Sequence, residues 1–180
     1  PYAKGASPSV WDSANPGAAK FIGSSTYPTD DIVNADVQDG KVRKAAEMVS
    51  RNAAVAFAAG NLYVGKFGRV QGIGAILDWG AEFTEKPMAL KGYYKYSPMT
   101  ITHAKEPYLD LIGKATDRCQ ILVFLTDWDA PFTVNTTAGV FVDFENDEHI
   151  IAFGKLESDE TVTDFREFQI DLEYRDKTRT

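Results

Sequence analysis

Met88-Ala89-Leu90-Lys91-Gly92-Tyr93-Tyr94-Lys95-Tyr96 is the stretch that decides the fold class of this 180-residue chain. Side chains of an extended strand alternate between two faces, which puts Leu90, Gly92, Tyr94 and Tyr96 on one side and Lys91, Tyr93 and Lys95 on the other. The segment reads as a half-exposed strand. Working outward, Cys119–Thr126 is almost continuously apolar and stops at the polar Thr126-Asp127, as a central sandwich strand would. Val140–Phe144, His149–Phe153 and Phe165–Tyr174 continue the spacing of strands divided by Gly, Asp and Asn turns. In the last of these, Phe168, Ile170 and Leu172 alternate with Glu167, Gln169, Asp171 and Glu173, so one side is core and the other wet and acidic. Upstream, the apolar runs Ala54–Ala59 and Leu62–Phe67 are separated by Gly60-Asn61, a pair that tolerates a bend. Lys41–Arg51 fits helical and alternating spacing equally well.

The composition points the same way. Three Trp, 8 Tyr and 11 Phe with 14 Gly and 8 Pro describe an all-β domain better than a helix bundle. Residues 1–40 show no sustained period and read as an irregular lead-in, with one short strand, packed on a β-sandwich spanning 41–180. No repeat or proline-rich linker divides the chain, so one domain is expected.

Nineteen Lys and Arg against 26 Asp and Glu leave a net charge of −7, which provides no footprint for nucleic acid or for an anionic membrane. The longest apolar runs, such as Ile121–Leu125, fall far short of the ~20 residues a spanning helix needs. No signal peptide is visible in these residues. A single cysteine, Cys119, rules out an internal disulfide framework and a multi-thiolate zinc site, and is read as an inert buried thiol. With only His103 and His149 beside it, the metal ligands on offer are oxygens. Calcium is the ion such ligands suit, and Asp127, Asp129, Asp143 and Asp147 are the candidates to hold one as a structural staple. No other cofactor is indicated.

Two motif matches fail on physical grounds. Gly60 to Phe67 has the spacing of a phosphate-binding loop, yet Phe67 stands where a hydroxyl should hold magnesium, and Leu62-Tyr63-Val64 is strand-forming where free amides are needed. Gly72-Ile73-Gly74 lacks the third glycine of a dinucleotide fingerprint and reads as a turn.

Three longer segments carry a family resemblance: Ala58 to Phe67, then Asp78-Trp79-Gly80-Ala81-Glu82-Phe83-Thr84-Glu85-Lys86-Pro87, then Leu90 to Tyr96. With Trp11-Asp12-Ser13-Ala14-Asn15-Pro16-Gly17 at the start and Asp117-Arg118-Cys119-Gln120-Ile121 in the middle, the chain resembles the putative carbohydrate metabolism domain of Bacteroidetes surface lipoproteins. The resemblance implies a jelly-roll-like antiparallel β-sandwich, an export signal upstream, a location at the cell surface or in the periplasm, a lipid anchor outside this chain, and a role with glycans. It resolves Lys41–Arg51 in favour of a strand. Members of the family continue past the segment resembling Phe168–Tyr174 with further strands, so the sandwich here is expected to lack its C-terminal strands and to leave an open edge for a partner strand or a missing segment. No catalytic residue is carried over.

Sugars present flat apolar faces ringed by hydroxyls, and a site for them needs exposed aromatic platforms flanked by polar groups. Tyr93 between Lys91 and Lys95, Trp128 between Asp127 and Asp129, and Trp79 beside Asp78 and Glu82 meet that requirement. Trp128 has a competing role as a cap on the core, Trp79 has one in packing, and Trp11 reads as an anchor for the lead-in. The leading functional expectation is therefore non-catalytic binding of a polysaccharide or oligosaccharide. One alternative is a glycoside hydrolase, which needs two carboxyl groups about 5–10 Å apart in different protonation states, although the crowded Asp143–Glu148 run has the character of a hairpin loop. The other is an adhesion or assembly module completed by a partner strand. His149 reads as a strand-end polar residue, and Asn135-Thr136-Thr137 as a glycosylation pattern without consequence in a bacterial protein.

Overall fold

The computed structural model describes residues 10–34, 43–53 and 56–175. It contains β1 (Trp11–Asp12), α1 (Asn15–Ala18), β2 (Thr26–Asn34), β3 (Arg43–Met48), β4 (Arg51–Ala53), β5 (Ala56–Ala58), β6 (Tyr63–Gln71) and β7 (Gly74–Trp79). Then come β8 (Ala89–Tyr96), β9 (Cys119–Thr126), β10 (Phe132–Asn135), β11 (Ile150–Ser158), β12 (Val162–Asp171) and β13 (Glu173–Tyr174). The strand pairings are antiparallel throughout, and α1 is a single turn. The protein is of the all-β sandwich class, as the alternating stretches require.

The chain forms two compact units that exchange it three times. One comprises Pro1–Phe83 with Trp128–Asn146, the other Thr84–Asp127 with Asp147–Thr180. In the first unit the sheet runs β1-β6-β7-β10. Its core face is a period-two set: Tyr63 and Phe67 of β6, Ala75, Leu77 and Trp79 of β7, and Phe132 and Val134 of β10, with Tyr63, Leu77 and Val134 buried. Gly65 completes the β6 row at φ +142°, and a Cβ there would lie 2.0 Å from the carbonyl oxygen of Asp78, so only glycine lets β7 approach. Gly72-Ile73 turns β6 back into β7, as expected.

The lead-in is more regular than its sequence suggests. Asn15 accepts hydrogen bonds from the Ser25 and Thr26 amides at 2.9 and 3.0 Å and donates to the Thr26 carbonyl, which launches the nine-residue β2. β2 pairs with β3, so the strand assignment of the ambiguous 41–51 segment holds over Arg43–Met48; residues 41 and 42 lie outside the described residues. The pairing then breaks at Val49-Ser50 and resumes as the β4-β5 hairpin, with residues 54 and 55 of the Ala54–Ala59 run also outside the described residues.

In the second unit β8 pairs with β12, and β11 lies between β13 and β9. Ile150, Ile151, Ala152, Val162, Ile170 and Leu172 are buried here. The two sheets meet where Gly154 of β11 faces Ile170 and Asp171 of β12: a Cβ at 154 would lie 2.6 Å from the Asp171 carbonyl oxygen. The chain passes from one sheet to the other at Leu172, whose amide still donates to the Met88 carbonyl, before β13 joins β11.

Two strand readings need correction. Among the described residues β9 sits at the end of its sheet rather than at the centre, its continuous apolar run serving a strand that is half-buried along nearly its whole length. Val140–Phe144 is not a strand. Asn135 closes a turn by accepting from the Thr137 and Ala138 amides, Val140 makes one bridge back to Asn135, and Asp143 starts a second turn by accepting from the Glu145 and Asn146 amides. Side-chain acceptors outcompete the strand ladder in this segment.

Candidate functional site

The outward face of the β8-β12 pair gathers the first group of candidates. Lys91, Tyr93 and Lys95 are exposed as the alternation demands, and Tyr93 retains 41 % of its accessible surface. The register sets Glu167 opposite Tyr93 and Gln169 opposite Lys91. Directly opposed residues on one face of an antiparallel pair have Cβ atoms about 4.5–5.5 Å apart, so Glu167 flanks Tyr93 directly, and the Lys91-Gln169 pair is the next along the same face. Gln169 is oriented by donating from Nε2 to Asp171 Oδ1 at 2.6 Å. Further along the face, Lys95 Nζ stands 4.6 Å from the ring centroid of Phe165.

The inner side of the same strands is filled by an aromatic ring. Phe168 lies across Gly92, where a Cβ would meet its ring at 2.8 Å, and packs edge-on against Tyr94 with centroids 6.1 Å apart. The ring therefore fills the gap that a glycine leaves in a strand. Phe165, Glu167 and Gln169 were not singled out as site residues from the sequence. Counting back by two from Glu167 would have placed Phe165 outward, beside Tyr93.

The tryptophans are placed differently. Trp79 packs on Tyr63 with centroids 5.9 Å apart, on the core side of the first unit, and its indole N–H is buried without a hydrogen-bond partner among the described residues. Its neighbour Asp78 accepts at 2.9 Å from Thr133 Oγ1 on the adjacent β10. Trp128 is half-buried and stacks on Phe132 at 5.2 Å.

The acidic residues are occupied locally. Asp127 Oδ1 lies 2.8 Å from His149 Nδ1, and this hydrogen bond raises the His149 pKa above its ordinary 6.5 by favouring the imidazolium. Asp147 accepts from the His149 amide at 2.9 Å, Asp143 caps its turn, and Asp129 is exposed. Among the described residues no three His, Cys, Asp or Glu side chains are gathered as a metal ion requires, so the four calcium candidates do not form one cluster. Asp30 and Glu157 are held below the usual carboxylate range by hydrogen bonds from Lys44 and Lys155, the opposite of what a general acid needs. Burial pushes the Cys119 thiol up, consistent with an unreactive thiol.

An all-β protein with an aromatic ring ringed by polar groups on a solvent-facing sheet is the class that fold and site define. Residues 2–180 match the family model described as a putative carbohydrate metabolism domain, and the chain belongs to that family. No curated protein and no solved structure matches it.

Proposed function

We propose that this chain is a non-catalytic carbohydrate-binding domain carried by an exported protein at the bacterial surface or in the periplasm, with the β8-β12 face as its binding surface. The observation that carries the reading is the exposed Tyr93 ring with Lys91, Glu167 and Gln169 around it. A pyranose face can stack on the ring, removing apolar area from water, while its hydroxyls find donors in Lys91 and Gln169 and acceptors in Glu167 and Asp171. Stacking is the larger contribution, because hydroxyl hydrogen bonds to protein largely replace bonds already made to water. Membership of a carbohydrate-related family supports the choice of ligand class.

A glycan array probed with the chain tests this reading, alongside reducing-sugar release from the same polysaccharides. The reading predicts retention without release. Release would make the protein a glycoside hydrolase, and a silent array would leave the carbohydrate reading without support.

A further inference from the structure

A concave feature with a different chemistry lies wholly within the first unit. A half-enclosed cleft of about 310 Å³ opens between α1, the end of β5 with the residues that follow it, and the β6-β7 turn. Ala18, Val70 and Leu77 line it, together with Phe21, Phe57 and Ile73, which remain 64, 50 and 72 % exposed. None of the described lining side chains is ionisable.

The two polar side chains described at the cleft, Asn61 and Thr136, are already engaged, as are the amides of the α1 region. Asn61 accepts from the Ala14 amide and donates to the Ala59 carbonyl, while Thr136 Oγ1 accepts from the Ala75 amide at 2.8 Å and donates back to its carbonyl. The Gly17 and Ala18 amides donate to Ala14, and the Phe21 and Ile22 amides to Ala18. A sugar placed here would lose its hydrogen bonds to water and recover few. An apolar occupant loses nothing of that kind.

Size selects the kind of occupant. A sphere of 310 Å³ has a surface of only about 220 Å², a fraction of the roughly 800 Å² per partner that a stable protein interface buries, so the cleft by itself is too small to hold a second chain. It is about twice the ~150 Å³ of a dry cavity that takes one benzene, which gives room for roughly twelve carbons. We propose that this cleft is a binding site for the uncharged hydrocarbon part of a small molecule, separate from the Tyr93 face.

The test uses the neutral fluorophore prodan, displaced by 1-decanol and 1-hexanol, on the whole chain. The expected result is saturable one-to-one binding, with 1-decanol competing at least about tenfold better than 1-hexanol because each added methylene leaves water. Ala18→Leu and Ala59→Leu, which fill the cleft, are expected to weaken prodan at least tenfold without changing the melting temperature. Ile73→Ser, in an exposed turn, tests the rim should a filled variant fold poorly, and is expected to weaken prodan several-fold. Binding that never saturates, filled variants that bind like wild type, or a dimer in sedimentation that Ala59→Leu dissolves would each overturn the assignment.

Discussion

Replacing Gly154 by alanine probes a close approach of the two sheets in the second unit. The new Cβ would sit 2.6 Å from both the Asp171 carbonyl oxygen and Ile170 Cγ2, and 3.3 Å from Val123 Cγ1. Ile170 can adjust, but the carbonyl belongs to β12 at its pairing with Ala89 and cannot swing aside. Restoring ordinary contact at 3.4 Å moves β11 and β12 apart by 3.4 − 2.6 = 0.8 Å. A gap of about 0.5–1 Å already forfeits a quarter to a half of each dispersion contact, here around the buried Ala152, Ile170 and Leu172. Overpacking typically costs about 1–3 kcal/mol, and a backbone obstacle places this substitution at the upper end. At roughly 2–4 °C per kcal/mol for a chain of this length, the melting temperature should fall by about 6–12 °C. Thermal unfolding followed by circular dichroism reads this directly. Gly92→Ala is the comparison, since its Cβ meets only the edge of the Phe168 ring, which can turn, and about 1 kcal/mol is expected. A Gly154→Ala protein within 2 °C of wild type, or no less stable than Gly92→Ala, would refute the close-approach argument.

Asn15→Ala removes the acceptor of the Ser25 and Thr26 amides and should cost about 1–3 kcal/mol, seen as a lower urea midpoint with an unchanged slope. Asn15→Asp keeps the acceptor and should lose less. An NMR titration should place His149 above 6.5, and Asp127→Asn should bring it back towards that value. Because the folded pKa is the raised one, the pair's contribution is complete below pH 6.5 and fades as pH rises through the folded value; with the imidazole exposed, the titration is the informative measurement and any change in stability is slight.

The parts of this fold that were legible in the sequence are those whose burial pattern is set locally. Lys91, Tyr93 and Lys95 face solvent because a strand has period two, and the Phe168, Ile170 and Leu172 row faces inward for the same reason. The misread parts depend on distant residues or on single side chains. Val140–Phe144 has the composition of a strand, and Asn135 and Asp143 turn it into two closed loops. β2 is hidden by Pro28 and the Asp30-Asp31 pair, and is held in place by Asn15 from outside the strand. Trp79 is open between packing and ligand contact from its polar neighbours alone, and its ring is directed by β7 onto Tyr63, a contact that no local pattern reveals. The polar half of the Tyr93 face comes from β12, some seventy-five residues further on, and only the register joins the two.

The measurement that bears most directly on the carbohydrate-binding claim is a calorimetric titration of the best array glycan into wild type and into Tyr93→Ala. Covering ~50–100 Å² of ring at ~25 cal/mol per Å² is worth on the order of 1–2.5 kcal/mol before ordering costs. The account predicts a roughly five- to seventy-fold weaker Tyr93→Ala with an unchanged melting temperature. Equal affinity for the two proteins, or no glycan bound by the wild type, would contradict it.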